Sequence, residues 1–246
     1  MRPLFERAIV IGASSGIGAA MARRLAASGT AVAVLGRRED ELGRLAQEHP
    51  ERLRAYQHDV RDPEAVPDLF DRIERDLGGV DTVVYAAGTM PEIAPNEYAF
   101  EKDRAAVEVN LLGAMAWMNL AAARFEAARG GTIVGVSSIA GERGRRGNPA
   151  YGASKAGLTA YLEALRNRCS RFGVNVVTVK PGFVDTDMTR GRKGLFWLIS
   201  ADEAARQALH LAGRGTSAIG YVPRRWALVA LVVRLLPSFL FRRLDL

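Results

Sequence analysis

The sequence predicts an α/β protein built on a doubly wound parallel sheet, one domain with an apolar and basic C-terminal tail. Three observations carry this. Short apolar runs alternate with helix-patterned stretches along most of the 246 residues, the pattern of repeated βα units on a parallel sheet. No Pro/Ser-rich or charged linker breaks the rhythm, so residues 1–222 read as one domain and 223–246 as its extension. A glycine-rich turn, Gly12-Ala13-Ser14-Ser15-Gly16-Ile17-Gly18, joins the first apolar run to the first helical pattern.

The elements follow in order. Ala8 to Ile11 is a strand, and Ile17 to Ala27 is a helix that ends at Ser28-Gly29. Gly12 permits the tight turn, Gly16 lets a pyrophosphate approach the backbone, and Gly18 lets the helix pack closely on the strand. The helix N-terminus offers unpaired N–H groups and partial positive charge to phosphates. A glycine-rich turn without a ligand is the alternative, but strand before and helix after are the context a dinucleotide site needs. The second strand, Ala31 to Leu35, ends in Gly36-Arg37-Arg38. Glycine stands where an acidic side chain would grip the ribose hydroxyls of NAD, and an arginine beside it can pair with the 2′-phosphate of NADP. Ser14 or Ser15 can add a hydroxyl. The expected cofactor is therefore NADP(H). The competing reading makes Arg37 and Arg38 surface charges flanking a helix.

A helix over Glu39 to Glu48 and a strand over Leu53 to Gln57 come next. Asp62-Pro63 reads as the cap and first turn of a helix running to Leu77. Asp81 to Ala86 is the fourth strand. Asn96 reads as the cap of a helix ahead of a long one from Ala105 to Arg129. Asn110 lies inside that helix, where asparagine competes for backbone hydrogen bonds. A distorted turn exposing a carbonyl to water is the functional reading; capping or solvent exposure is the bland one. Thr132 to Ser137 is the fifth strand. The loop from Ser138 to Asn148 carries Glu142, Arg143, Arg145 and Arg146, and Pro149 opens the following helix. Asn175 to Lys180 is the sixth strand, stopped by Pro181. Beyond it lie Asp185-Thr186-Asp187-Met188, Arg190, Arg192 and Lys193.

Tyr151 and Lys155, four apart, share one face of their helix. An ammonium beside a phenol favours the phenolate and lowers its pKa. Such a phenol can pass a proton to a carbonyl oxygen near neutral pH.

Taken together, Gly12 to Gly18, Asp59-Val60, Ala86-Ala87-Gly88, Asn110, Gly135-Val136-Ser137-Ser138, Tyr151 to Lys155 and Pro181-Gly182 with Thr186 resemble the short-chain dehydrogenase/reductase family in its compact single-domain branch. The resemblance runs from Ala8 to about Tyr221 and implies a Rossmann fold. It assigns Tyr151 as proton donor in reduction and base in oxidation. Lys155 tunes it and bonds the nicotinamide ribose. Ser138, rather than Ser137, bonds the substrate oxygen, and Asn110 holds a relay water. It places Gly12, Ser14, Ser15, Gly16, Ile17, Gly18, Arg37, Arg38, Asp59, Val60, Ala87, Gly88, Pro181, Gly182, Val184 and Thr186 around the cofactor, with Asp59 on adenine and Thr186 near the carboxamide or diphosphate. The segment after Pro181 would be a mobile lid. Its basic residues would meet an acidic group on the substrate or form a solvated loop. Ile11 and Tyr85-Ala86 depart from the family's usual residues at positions that tie strands together.

Cys169 is the only cysteine, so no intramolecular disulfide forms, which fits a reducing cytosol. The formal charge of +7 comes mostly from arginine. No nucleic-acid motif accompanies it, leaving a solvated basic surface or attraction to anionic lipids or substrates. His49, His58 and His210 do not cluster at metal-ligand spacing. The tail, Arg224 to Arg243, alternates basic residues with Trp226 to Val233, Leu235-Leu236 and Phe239-Leu240-Phe241. It is too short for an ordinary spanning helix. It either lies in a membrane interface or packs over the substrate pocket or a subunit interface; both favour an apolar substrate.

The function expected is an NADP(H)-dependent reductase or dehydrogenase acting on a small lipophilic carbonyl or alcohol. A cytoplasmic homodimer or homotetramer is the family's habit. One alternative is a ketoacyl-carrier-protein reductase docking its acidic carrier on Arg124, Arg129, Arg168 and Arg171. The other is a non-catalytic NADP sensor.

Overall fold

Strands that are apolar on both faces require a sheet covered on both sides, and the first strand shows this residue by residue. In β1 (Arg7–Ile11), Ala8 and Val10 enter one buried cluster while Ile9 and Ile11 enter the other. The computed structural model describes residues 5–94, 96–192 and 194–243.

The chain continues through α1 (Gly16–Ala27), β2 (Ala31–Gly36), α2 (Glu39–Glu48), β3 (Leu53–Gln57), α3 (Val66–Leu77) and β4 (Thr82–Tyr85). Then come α4 (Phe100–Val107), a π-helical turn (Glu108–Leu112), α5 (Gly113–Ala128), β5 (Gly131–Val136), a 3₁₀ turn (Ile139–Glu142) and α6 (Pro149–Cys169). The last part holds β6 (Val174–Pro181), a two-residue pair formed by β7 (Val184–Asp185) and β8 (Ile199–Ser200), α7 (Ala201–Ala212), β9 (Ala218–Val222), α8 (Trp226–Leu235) and α9 (Ser238–Phe241). Seven strands pair in the order β3-β2-β1-β4-β5-β6-β9, all parallel. Side chains of α1, α2 and α7 cover one face; those of α3, α5 and α6 cover the other. Strand order reverses between β1 and β4, and such a switch point opens a crevice at the carboxyl ends of the strands.

Several local expectations need correction. The helix expected from Asp62-Pro63 starts at Val66. Asp62 instead accepts from the Ala65 amide at 3.4 Å, and Pro67 fills the first turn of α3. Asn96 lies in a turn and caps nothing; Ala99 is the residue before α4. The long helix is broken where Asn110 sits, since the Gly113 amide reaches back to Glu108 and makes a π turn. Pro181 does not stop β6 but is its last paired residue, opposite Val222. The sequence reading leaves α7 and β9 unassigned, although Ser200 and Glu203 mark the start of α7, with the Ser200 hydroxyl accepting from the Glu203 amide at 3.1 Å.

The tail packs on the domain along one side. Trp226, Ala230 and Val233 of α8 are buried, with Ile139 and Phe183 beside them. Its other side exposes Leu228, Leu231 and Leu235. Charged residues of the 138–148 loop fasten it, Arg146 among them through the Arg242 carbonyl at 3.3 Å. The buried Glu142 carboxylate takes Lys180 at 2.7 Å and Arg234 at 2.5 Å, and the Tyr221 hydroxyl donates to it at 3.0 Å. Arg143 donates to the carbonyls of Val233 and Leu236 at the end of α8 and lies 4.2 Å above the Phe241 ring.

Candidate active site

The turn after β1 works because its glycines cannot be anything larger. Gly12 has φ +87°, and a Cβ there would stand 2.3 Å from the Ala87 amide nitrogen. A Cβ on Gly18 would meet the Gly12 carbonyl at 2.2 Å. Close contact between turn, helix and the end of β4 leaves space above them. Ser15 precedes α1 but its hydroxyl does not cap the helix. It faces the Arg38 guanidinium at 2.6 Å, and Ser14 lies 3.1 Å from the same group. Gly36 is buried under Ser14, where a Cβ would approach the serine at 3.3 Å. The end of β2 therefore presents a guanidinium and two hydroxyls with no carboxylate of its own, a donor set suited to a phosphate. Asp187, just after β7, stands 3.7 Å from Arg38.

A cleft of about 1190 Å³ runs from this cluster across the carboxyl ends of the strands. Gly12, Ser14, Ser15, Gly16, Ile17, Arg37, Arg38, Val60, Ala87, Gly88, Ser138, Tyr151, Lys155, Pro181, Gly182, Val184 and Thr186 line it. Gly18 and Asn110 lie behind its wall. Asp59 does not reach it either. Its carboxylate is chelated by Arg61, with contacts from 2.5 to 3.1 Å, and this bonding holds its pKa below the ordinary value. Val60 is the member of that pair that faces the cleft. Thr186 stands over Gly16, its methyl 3.2 Å from where a Cβ would be. Lys193, read with the lid's basic residues, falls outside the described residues.

The two adjacent serines divide their work. Ser137 turns inward, donating to the Lys155 carbonyl at 2.8 Å. Ser138 faces the cleft beside Tyr151 and accepts from the Ala140 amide at 3.1 Å. Asn148 caps α6 by accepting from the Tyr151 amide at 3.1 Å, which sets the first turn of the helix. Asn110 is fully buried. Its carbonyl accepts from the Thr89 amide at 2.7 Å, and its amide group donates to the Thr89 carbonyl and Ser154. It thereby ties the π turn to the loop after β4, and a π turn changes which backbone carbonyls are paired.

The electrostatics differ from the simple expectation. Burial raises the Tyr151 pKa above its ordinary value; the neighbouring Ser138 hydroxyl and the charges of Arg192 and Arg145 act the other way without cancelling it. Lys155 donates to the Val136 carbonyl at 2.9 Å and stands 6.0 Å from the centre of the Tyr151 ring. Burial lowers its own pKa to about 8. Two arginines of the cleft thus act on the phenol as well.

Residues that the sequence reading misses form the outer cleft. Met90, Pro91, Ile93 and Ala94 line one part; Ile139, Phe183, Met188 and Leu195 line another. Behind Phe183, Trp226 stacks on Phe196 at 4.9 Å and meets Trp197 edge-on. Apolar residues after a strand end are the only local mark these positions carry.

Comparison with known proteins gives a consistent picture. A profile described as short chain dehydrogenase matches residues 6–194. An uncharacterized oxidoreductase of Mycobacterium tuberculosis is 30% identical, covering 97% of this chain and 96% of the relative. Carbonyl reductase family member 4 of Xenopus tropicalis is 35% identical over 74% of this chain and 77% of its own length. Among solved structures, an actinorhodin polyketide ketoreductase variant with NADPH is similar at a TM-score of 0.81 and 29% identity, over 90% of this chain and 97% of that one.

Proposed function

The chain belongs to the short-chain dehydrogenase family, and on that footing we propose that it is an NADP(H)-dependent oxidoreductase acting on a carbonyl or secondary alcohol of a lipophilic substrate. The observation that carries the reading is the meeting of Ser138, Tyr151 and Lys155 in one cleft whose far end holds Arg38, Ser14 and Ser15.

When bound, the reduced nicotinamide supplies the hydride. Tyr151 gives its phenolic proton to the substrate oxygen, and takes it back when the alcohol is oxidised. Ser138 donates a hydrogen bond to that oxygen as charge develops, an effect worth up to about 3–4 kcal/mol of barrier. Lys155 holds the nicotinamide ribose and supplies positive charge below its pKa of about 8. Asn110 fixes the π turn that presents a carbonyl to a relay water. Gly12, Gly16 and the first turn of α1 take the diphosphate; Ala87, Gly88, Pro181, Gly182, Val184 and Thr186 enclose the nicotinamide half.

Preference for NADP(H) rests on Arg38 and the serines, with Arg37 beside them and glycine before them. Equilibrium titration tests it. NADPH is expected to bind much more tightly than NADH, and Arg38→Asp or Arg37→Asp to erode that preference. Equal affinity in the wild-type protein would end the argument.

The apolar outer cleft supports a lipophilic substrate. Of the four arginines on which the carrier-protein alternative rests, Arg124 is paired at the surface with Asp71 and Glu74. The sensor alternative has no use for a complete proton-transfer set. The proposal extends to a cytoplasmic homodimer or homotetramer, checked by sedimentation velocity. It also extends to peripheral membrane contact by the exposed leucines of α8, checked by co-sedimentation with anionic vesicles.

A further inference from the structure

The loop between Ser138 and Tyr151 carries a cation that the mechanism above leaves without a task. Arg145 lines the cleft in company with both residues. Three other cleft cations are engaged: Arg38 by Ser14, Ser15 and Asp187, Lys102 by Glu97 at 2.6 Å, and Lys155 by the Val136 carbonyl. Arg145 has no hydrogen bond or ion pair among the described residues. It is only partly open to water, burial lowers its pKa, and its charge reaches the Tyr151 phenol. Arginine stays charged in a protein. A charge withdrawn from water without a counter-ion is unfavourable, and an anionic ligand would relieve it.

The loop is built to hold this side chain in place. On one side, Glu142 and Arg143 are fastened to the tail, through Arg234 and through the carbonyls that end α8. On the other, Asn148 donates to the Pro91 carbonyl at 2.7 Å and caps α6. Arg145 therefore hangs from a loop pinned at both ends. The same cleft is lined by Pro91, Ile93, Ile139, Met188 and Leu195, which give an apolar body a place to lie. Arg192 of the lid brings a second cation toward the same phenol.

We propose that Arg145 is the anion-binding residue of the substrate pocket, so that the substrate is an amphiphilic oxo acid or its hydroxy acid. Its carbonyl lies at Tyr151 and Ser138, its apolar body lies along the outer cleft, and its carboxylate takes the guanidinium fork. This rests on the carbonyl-reductase reading and narrows it to a substrate class.

The test is steady-state kinetics with NADPH on medium-chain 4-oxo and 5-oxo acids and their methyl esters. The wild-type protein is compared with Arg145→Met and Arg145→Lys. A charge-assisted pair predicts that kcat/KM favours the acid over its ester by roughly 10–100-fold. Arg145→Met removes that preference while turnover of the ester persists, and Arg145→Lys restores part of it. Equal treatment of acid and ester by the wild type, or an unchanged preference in Arg145→Met, overturns the proposal. If no carbonyl reacts at all, calorimetric binding of a saturated fatty acid of matching length to the NADP⁺-loaded protein decides between the two layers. Binding that Arg145→Met abolishes upholds the anion site and rejects only the reductase reading; absence of binding rejects both.

Discussion

Glu142→Gln takes a negative charge from a place where a buried cation depends on it. The side chains of Glu142 and Lys180 are 1% and 2% exposed and meet at 2.7 Å. Burial alone would raise the Glu142 pKa. Lys180, Tyr221 and Arg234 together outweigh it and hold the carboxyl below the ordinary range. Removing one partner of a buried pair costs about 3–5 kcal/mol, because the other charge is stranded. Arg234 is half-exposed and adds no more than about 1 kcal/mol. For a domain of this size each kcal/mol moves the melting temperature by about 2–4 °C, so the expected fall is roughly 6–20 °C by circular dichroism. Adding Lys180→Met to the variant should recover much of the loss, since the stranded ammonium is gone. The folded pKa lies below the unfolded one, so this stabilisation is complete above about pH 4.3 and fades as pH falls through the folded value. A fall of less than about 2 °C, a single-kcal/mol effect, would refute the reasoning. So would a double variant no more stable than Glu142→Gln.

Two further perturbations probe the site itself. In Gly182→Ala the new Cβ would stand 2.0 Å from the indole nitrogen of buried Trp226. Overpacking of about 1–3 kcal/mol should lower the melting temperature by roughly 2–12 °C and shift the tryptophan emission; no change in either would mean the tail does not press on the cleft floor. Lys155→Met should raise the melting temperature at pH 7 while abolishing turnover. Burial lowers the lysine's pKa from 10.5 to about 8, so the unfolded chain holds that proton more tightly than the folded one. The destabilisation is full below about pH 8 and lifts as pH climbs toward 10.5, and the gain from Lys155→Met should shrink over that interval. A lower melting temperature at pH 7 would reject this.

The sheet was legible because its information is local. Each strand is a short apolar run and each of the early helices has its own boundary chemistry, so β2, α2 and β3 fall within a residue of where the pattern puts them. The π turn was partly legible, as Asn110 is a poor residue for an ordinary helix interior. The start of α3 was misplaced because two prolines, Pro63 and Pro67, compete for the same role. The lattice of contacts behind the site was not legible at all. Glu142 and Arg234 are far apart in sequence, and neither type announces a buried ion cluster. Arg145 looks the same in sequence as its neighbours Arg143 and Arg146; only the fold shows that Arg143 ends a helix and Arg145 faces the cleft. Asp59 shows a different limit. Arg61, two residues on, is visible in the sequence, but the chelate it forms on the Asp59 carboxylate is not.

The central claim is that this cleft reduces a carbonyl with NADPH through Tyr151. The most direct measurement is NADPH oxidation by the wild-type protein and Tyr151→Phe, across carbonyls from small polar ketones to long-chain and polycyclic ones. The expected result is turnover of apolar members by the wild type, and none by Tyr151→Phe although it still binds NADPH. Equal turnover by both proteins, or no turnover by a wild type that binds NADPH, would contradict the account.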